Sequence, residues 1–156
     1  MSILLESIRT LIDNQMAASN AGGDVSTRLR RTVEAHVRYH AAHRSKAYVC
    51  NRELSAIELE HRKLIGELRD AYEHGLRGLI EKGCSTGEFS VPSAKLVTFA
   101  ILEMGVGVSV WFRPDGELSV GQVAYAYTEM ALRMATERSP VMVSHRPDMA
   151  SSVEGP

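Results

Sequence analysis

Between Leu96 and Phe112 the chain carries only three polar residues, Thr98, Glu103 and Ser109. Pro92 stands ahead of this run and suits the first turn of a helix, where its missing N–H would have no partner anyway. Arg113-Pro114-Asp115-Gly116 follows with turn chemistry. The pattern predicts a helix from about Val91 to Phe112. A helix that is apolar on nearly all sides must be covered on nearly all sides. In a domain this small, its own core covers one side, and another molecule is expected to cover the other. No stretch, this one included, reads as long and charge-free enough to span a bilayer.

The rest of the sequence repeats the helical period between punctuation marks. Leu4, Leu5, Ile8, Leu11, Ile12, Gln15 and Met16 form one stripe over about Ser2 to Ala18, stopped by Asn20-Ala21-Gly22-Gly23. Asp24 or Ser26 can cap the next helix, which reaches about His43 with Leu29, Val33, His36, Val37 and His40 on one side. A short helix is predicted from about Ser45 to Leu54. A long one follows from about Ala56 to Lys82, with Leu64, Ile65, Leu68, Tyr72, Leu76, Leu79 and Ile80 inward and Gly83 as its C-cap. Ser119 is placed to cap a last helix to about Glu137, whose stripe is Val123, Ala124, Tyr127, Met130, Ala131 and Met134. The expected fold is an all-α bundle of about six helices over residues 1–139, with a disordered tail over 140–156.

Small residues on the last two strong helices permit close approach between chains, and two such helices from each of two chains would make a four-helix bundle. The expected homodimer interface comprises Ala100, Gly107, Val110, Ala124, Tyr127 and Ala131. With 18 basic and 19 acidic residues the chain lacks the positive charge of a free-standing nucleic-acid binder. Arg28, Arg30 and Arg31 read as a solvated helix face. Two isolated cysteines, Cys50 and Cys84, suit neither a disulfide framework nor a zinc site. No basic run followed by an apolar core opens the chain, so the cytoplasm is the expected location.

Few residues suggest chemistry. His36, His40 and His43 share a helix face at metal-gripping spacing, but no HExxH pattern accompanies them, and structural or pocket-lining roles are expected. No phosphate-binding loop, nucleophile elbow or paired Glu-x-x-His motif occurs, so neither catalysis, cofactor nor metal is expected. Glu103, on a helix read as buried, needs a partner: an arginine, a second subunit or a ligand. Trp111 beside Arg113 suits either stacking and charge on an aromatic or anionic ligand, or a core cap beside a surface arginine. A purely structural helical dimer module, without ligand or direct DNA contact, is the alternative to a ligand sensor.

Several stretches together resemble the C-terminal domain of TetR-family transcription regulators. These are Val33-Glu34-Ala35-His36-Val37-Arg38-Tyr39-His40, Asn51-Arg52-Glu53-Leu54, Gly83-Cys84-Ser85-Thr86-Gly87-Glu88-Phe89, and Trp111-Phe112-Arg113-Pro114-Asp115-Gly116 with Leu118-Ser119. The last is similar to a motif of the subgroup controlling steroid and fatty-acid catabolism. The resemblance covers about residues 2–137. It implies a small-molecule pocket, a lipophilic or acyl-CoA-like effector, a homodimer built by the last two strong helices, and DNA contact only through a head domain. The family's three-helix head ends in a pattern like Y-x-H-F-x-S-K-x-x-L, which these residues do not contain. A fragment, a misplaced start and a natural headless dimer remain the alternatives. Carried onto this chain, the candidate ligand contacts are Trp111 and Arg113, with His40, Tyr72 and Glu103 beside them.

Overall fold

A computed structural model describes residues 3–45 and 59–137. Five helices make up the described chain: α1 (Ile3–Asn20), α2 (Val25–Ala42), α3 (Leu59–Thr86), α4 (Ala94–Trp111) and α5 (Val120–Thr136). Among the described residues there is no strand. The short helix expected at 45–54, the start of the long helix and the tail from 140 lie outside the described residues.

Local chemistry explains where the helices start and stop. Gly22 and Gly23 turn the chain between α1 and α2 at φ +79° and +96°, a region that side chains resist. Asp24 then caps α2 by accepting from the Thr27 N–H at 2.7 Å. Ser93, not Pro92, opens α4, and Pro92 sits just outside it. Ser119 and Gln122 close a reciprocal capping box on α5. The expected cap at Gly83 moves to Gly87, because α3 runs on to Thr86 and Gly87 takes φ +78°. Gly83 serves a different end: a side chain there would overlap the ring of Phe89, which folds back over the helix.

Two apolar clusters organise the packing. The larger joins α2, the C-terminal half of α3, α4 and α5 around Leu29, Val33, Leu76, Ile80, Ile101 and Val108. The smaller joins Leu4, Leu5 and Ile8 of α1 to Ile65 of α3. α2 is the hub and touches every other described helix. Its arginines are engaged rather than merely solvated: Arg28 donates to the Ser19 carbonyl, Arg31 to that of Gly22, and Arg30 pairs with Glu129 of α5.

α4 confirms half of what its composition demands. Val97, Thr98, Ile101, Gly105, Val108 and Ser109 face inward, and the two hydroxyls are satisfied by their own helix at Ala94 and Val106. The opposite face is bare, with Leu96 66% and Val110 71% exposed. By length and composition α4 is apolar enough to cross a membrane, which corrects the expectation that no stretch would be; a third of it is buried within the chain. Met16 and Met130 also lie outside the core rather than in it.

Glycine positions give a test of this packing. Gly83→Ala and Gly105→Ala would drive a methyl group into the rings of Phe89 and His36 respectively, whereas Gly78 faces open space. The first two are expected to lose about 1–3 kcal/mol in urea denaturation. Gly78→Ala should gain up to about 1 kcal/mol from helix propensity.

Candidate functional site

Polar side chains that penetrate between the two apolar clusters define the site. His36, buried on α2, lies against α4 where Gly105 leaves room for its ring. Its Nε2 is 3.0 Å from the Leu102 carbonyl and its Nδ1 is 2.7 Å from the Tyr72 hydroxyl. A carbonyl only accepts, so Nε2 carries the proton, Nδ1 accepts, and Tyr72 donates. The backbone carbonyl of Tyr72 in turn accepts from the buried Gln15 amide of α1 at 3.0 Å. Gln15 reaches it across Gly75, where any side chain would collide with that amide. One polar chain thus ties α4, α2, α3 and α1 together.

Beside it opens a cavity of about 570 Å³, walled by all of these helices. α1 contributes Leu4, Ser7, Ile8 and Leu11; α2 contributes His36, Tyr39 and His40; α4 contributes Leu102 and Val106. Arg69, Asp70, His74, Lys95, Phe99 and Glu103, all exposed, form the outer part. Lys95 stands over the Phe99 ring, 5.9 Å from its centroid. Glu73 pairs with Arg77 at 3.6 Å. A mostly apolar space with a few polar groups, of this size, is the usual form of a small-molecule site.

Burial keeps the inner groups uncharged. Burial depresses the pKa of His36 to about 4, against a smaller opposing effect of its bond to the Leu102 carbonyl. Burial, with His36 and His43 adding repulsion, holds His40 at about 3. Burial and the neighbouring Tyr39 push the Tyr72 phenol upward. His40 makes edge-to-face ring contacts with His36 and Tyr39, yet neither of its ring nitrogens has a hydrogen-bond partner. Among the described residues no group of three His, Cys, Asp or Glu side chains is placed to hold a metal.

The cavity brings together three of the five ligand contacts expected from sequence, His40, Tyr72 and Glu103. Glu103 is not the buried carboxylate its helix suggested; it is exposed at the rim, where water meets its charge. Trp111 and Arg113 do not line the cavity. Trp111 is 45% exposed at the far end of α4, edge-on to Phe112 and to Tyr127 of α5. Of the expected interface residues, Ala100 and Val110 are exposed and Gly107 and Tyr127 half-buried. Ala124 and Ala131 are 0% exposed and packed in this chain's own core, leaving no surface for a partner. Sequence reasoning missed the α1 wall and Lys95. The alternation of polar Ser7 and Gln15 with leucines on one face of α1 was the available signal.

A family model described as the tetracyclin repressor-like C-terminal domain matches residues 22–135. No curated protein matches the chain. A tetR-family regulatory protein from Rhodococcus RHA1 is 30% identical with a TM-score of 0.80, over 86% of this chain and 70% of that one. PfmR, a TetR-family transcriptional regulator of Thermus thermophilus, is 31% identical with a TM-score of 0.77, over 87% and 74%. AibR, solved with isovaleryl coenzyme A and operator DNA, is 19% identical with a TM-score of 0.72, over 82% and 70%, and so shares the fold.

Two buried neutral histidines set a pH dependence. Their ordinary pKa is 6.5, so below that the unfolded chain takes up protons that the folded one refuses. Stability is therefore unaffected by them above pH 6.5 and falls with acid, until the folded values near 4 and 3 are reached. The expected slope is about 1.4 kcal/mol per pH unit for each histidine. Urea titrations between neutral pH and mild acid should show it, and His40→Leu should remove one proton's share.

Proposed function

This chain belongs to the TetR family of transcription regulators, its helices forming the family's C-terminal domain, and we propose that it is the part that senses a lipophilic effector and joins two chains. The observation that carries the sensing role is the cavity between the two apolar clusters, one wall of which is α1. A ligand there touches Leu4, Ser7, Ile8 and Leu11 directly. In a family member that carries a DNA-binding head, the helix corresponding to α1 would lead to that head, which would contact the operator. The ligand acts only through its differential affinity for two positions of that helix.

Apolar inner walls and exposed cations at the rim favour a lipophilic acid or an acyl thioester. The acyl part would occupy the space near Ile8, Leu102 and Val106, and the anionic end would face Arg69 and Lys95. Isovaleryl coenzyme A is the ligand named for AibR, whose fold is the same. His40, Tyr72 and Glu103 are the contacts we retain for this ligand. The cavity also favours this reading over a ligand-free structural module.

The bare face of α4 is assigned to a second copy of the chain. Leu96, Ala100, Gly107 and Val110 recur at helical spacing along it, and Tyr125, Ala126 and Met130 continue the exposed surface on α5. A side chain added at Gly107 would meet nothing within 4 Å, so another helix can come close there. Trp111, edge-on to Tyr127, fits the margin of such an interface better than a ligand site.

Two measurements test these assignments. Light scattering coupled to gel filtration should give twice the chain mass for the wild type. Val110→Arg with Tyr125→Arg should give a folded monomer, because surface changes cost the single chain within about 0.5 kcal/mol while a dimer would bury the charges. A wild-type monomer at high concentration rejects the dimer. In thermal-shift assays, decanoic acid or decanoyl-CoA at about 100 times Kd should add about 2.7 kcal/mol of stability. Leu11→Trp, which fills the cavity, should abolish the shift; no shift in the wild type rejects the sensor.

A further inference from the structure

The inner wall of the cavity contains one polar side chain whose hydrogen-bonding capacity is entirely unused. His36 is engaged at both nitrogens, and the Tyr72 hydroxyl gives its proton to His36. His40 sits next to them, 6% exposed, with both nitrogens buried and unpartnered. Leaving such groups unpaired in a dry interior is costly, and native proteins do so rarely without a functional reason. The ring itself lines the cavity.

We propose that His40 is the polar anchor of the ligand, and that the buried part of that ligand carries an uncharged oxygen, a carbonyl or hydroxyl, which hydrogen-bonds the imidazole. This rests on the cavity being a ligand site, as proposed above. A neutral imidazole offers one N–H donor and one acceptor, and a carbonyl or hydroxyl oxygen satisfies the donor. Burial and the neighbouring histidines keep His40 neutral. The groups beside it are His36, Tyr39 and His43, with no lysine or arginine among them to balance a buried carboxylate. Exposed cations stand at the rim, Arg69 and Lys95, while the half-buried Arg77 is paired with the buried Glu73. In this arrangement the ligand's charge faces Arg69 and Lys95, its uncharged oxygen meets His40, and its hydrocarbon lies between. The pocket also supplies a differential for switching, because only the ligand-bound state pairs the orphaned ring.

The test compares decanoic acid with the set of oxodecanoic acids that differ only in where the ketone sits. Calorimetry is run on the wild type, His40→Leu and His40→Gln. At least one ketone position should bind the wild type about tenfold tighter than decanoic acid, the scale of one relieved buried polar group. His40→Leu should bind all the acids alike, while His40→Gln, which keeps a donor and an acceptor, should retain the preference. His40→Leu should also raise the ligand-free Tm by a few degrees, since it removes the unpaired nitrogens. Binding of every acid without a ketone preference, a preference that survives in His40→Leu, or a lowered Tm in that variant each overturns the anchor while leaving the sensor intact. Failure of all the acids to bind the wild type overturns the sensor and the anchor with it.

Discussion

Everything in this domain is arranged around one imidazole ring. His36 can occupy the centre of the bundle only because Gly105 presents no side chain to it and because both its nitrogens are satisfied, by Leu102 and Tyr72. A buried ring nitrogen left unpaired costs about 1–3 kcal/mol, a penalty these two bonds avoid. Satisfied, it sets the spacing of α2, α3 and α4, and through the Tyr72 carbonyl and Gln15 it reaches α1. Polar chains of this kind specify one arrangement where apolar contacts alone would tolerate several.

That arrangement leaves a gap. The smaller cluster, built by α1 and α3, does not merge with the larger one, built by α2 to α5. The cavity occupies the space between them, and α1 is held against α2 and α3 by its leucines and isoleucines, by Gln15 and by the bonds from Arg28 to Ser19. In the proposed sensor, ligand contact and helix packing fall on the same residues: Leu4, Ile8 and Leu11 line the cavity, and Leu4 and Ile8 also belong to the smaller cluster.

α4 has two roles on two faces. Inward, Gly105 and Val108 pack against the core, and Leu102 and Val106 wall the cavity. Outward, Val110 and Leu96 remain uncovered. If the outward face holds a second chain, ligand and partner contact the same rod one helical turn apart, which gives the two events a short mechanical path.

How much was legible beforehand differs from level to level. Periodicity in the sequence was enough to find all five described helices, the inward faces of α2 and α3, the cap at Ser119, and the cap of α2 to within Asp24 or Ser26, because these depend on residues within a turn or two of each other. Excess apolar surface on α4 was equally plain, since composition alone states how much must be hidden. Which side of each helix met which neighbour was not, and three readings moved on that account. Glu103 went to the rim, Ala124 and Ala131 went into the chain's own core, and Trp111 went to an outer edge. Helix rotation about its axis is decided by contacts between residues far apart in the chain, such as Gln15 with Tyr72 or His36 with Leu102. The sequence by itself determined that there would be helices, where α5 would be capped, and that one of them carried far more apolar surface than the rest. Only the tertiary structure decided that two histidines on one face would part company, one bonded at both nitrogens and one at neither, because that depends on which long-range partners the packing brings within about 3 Å.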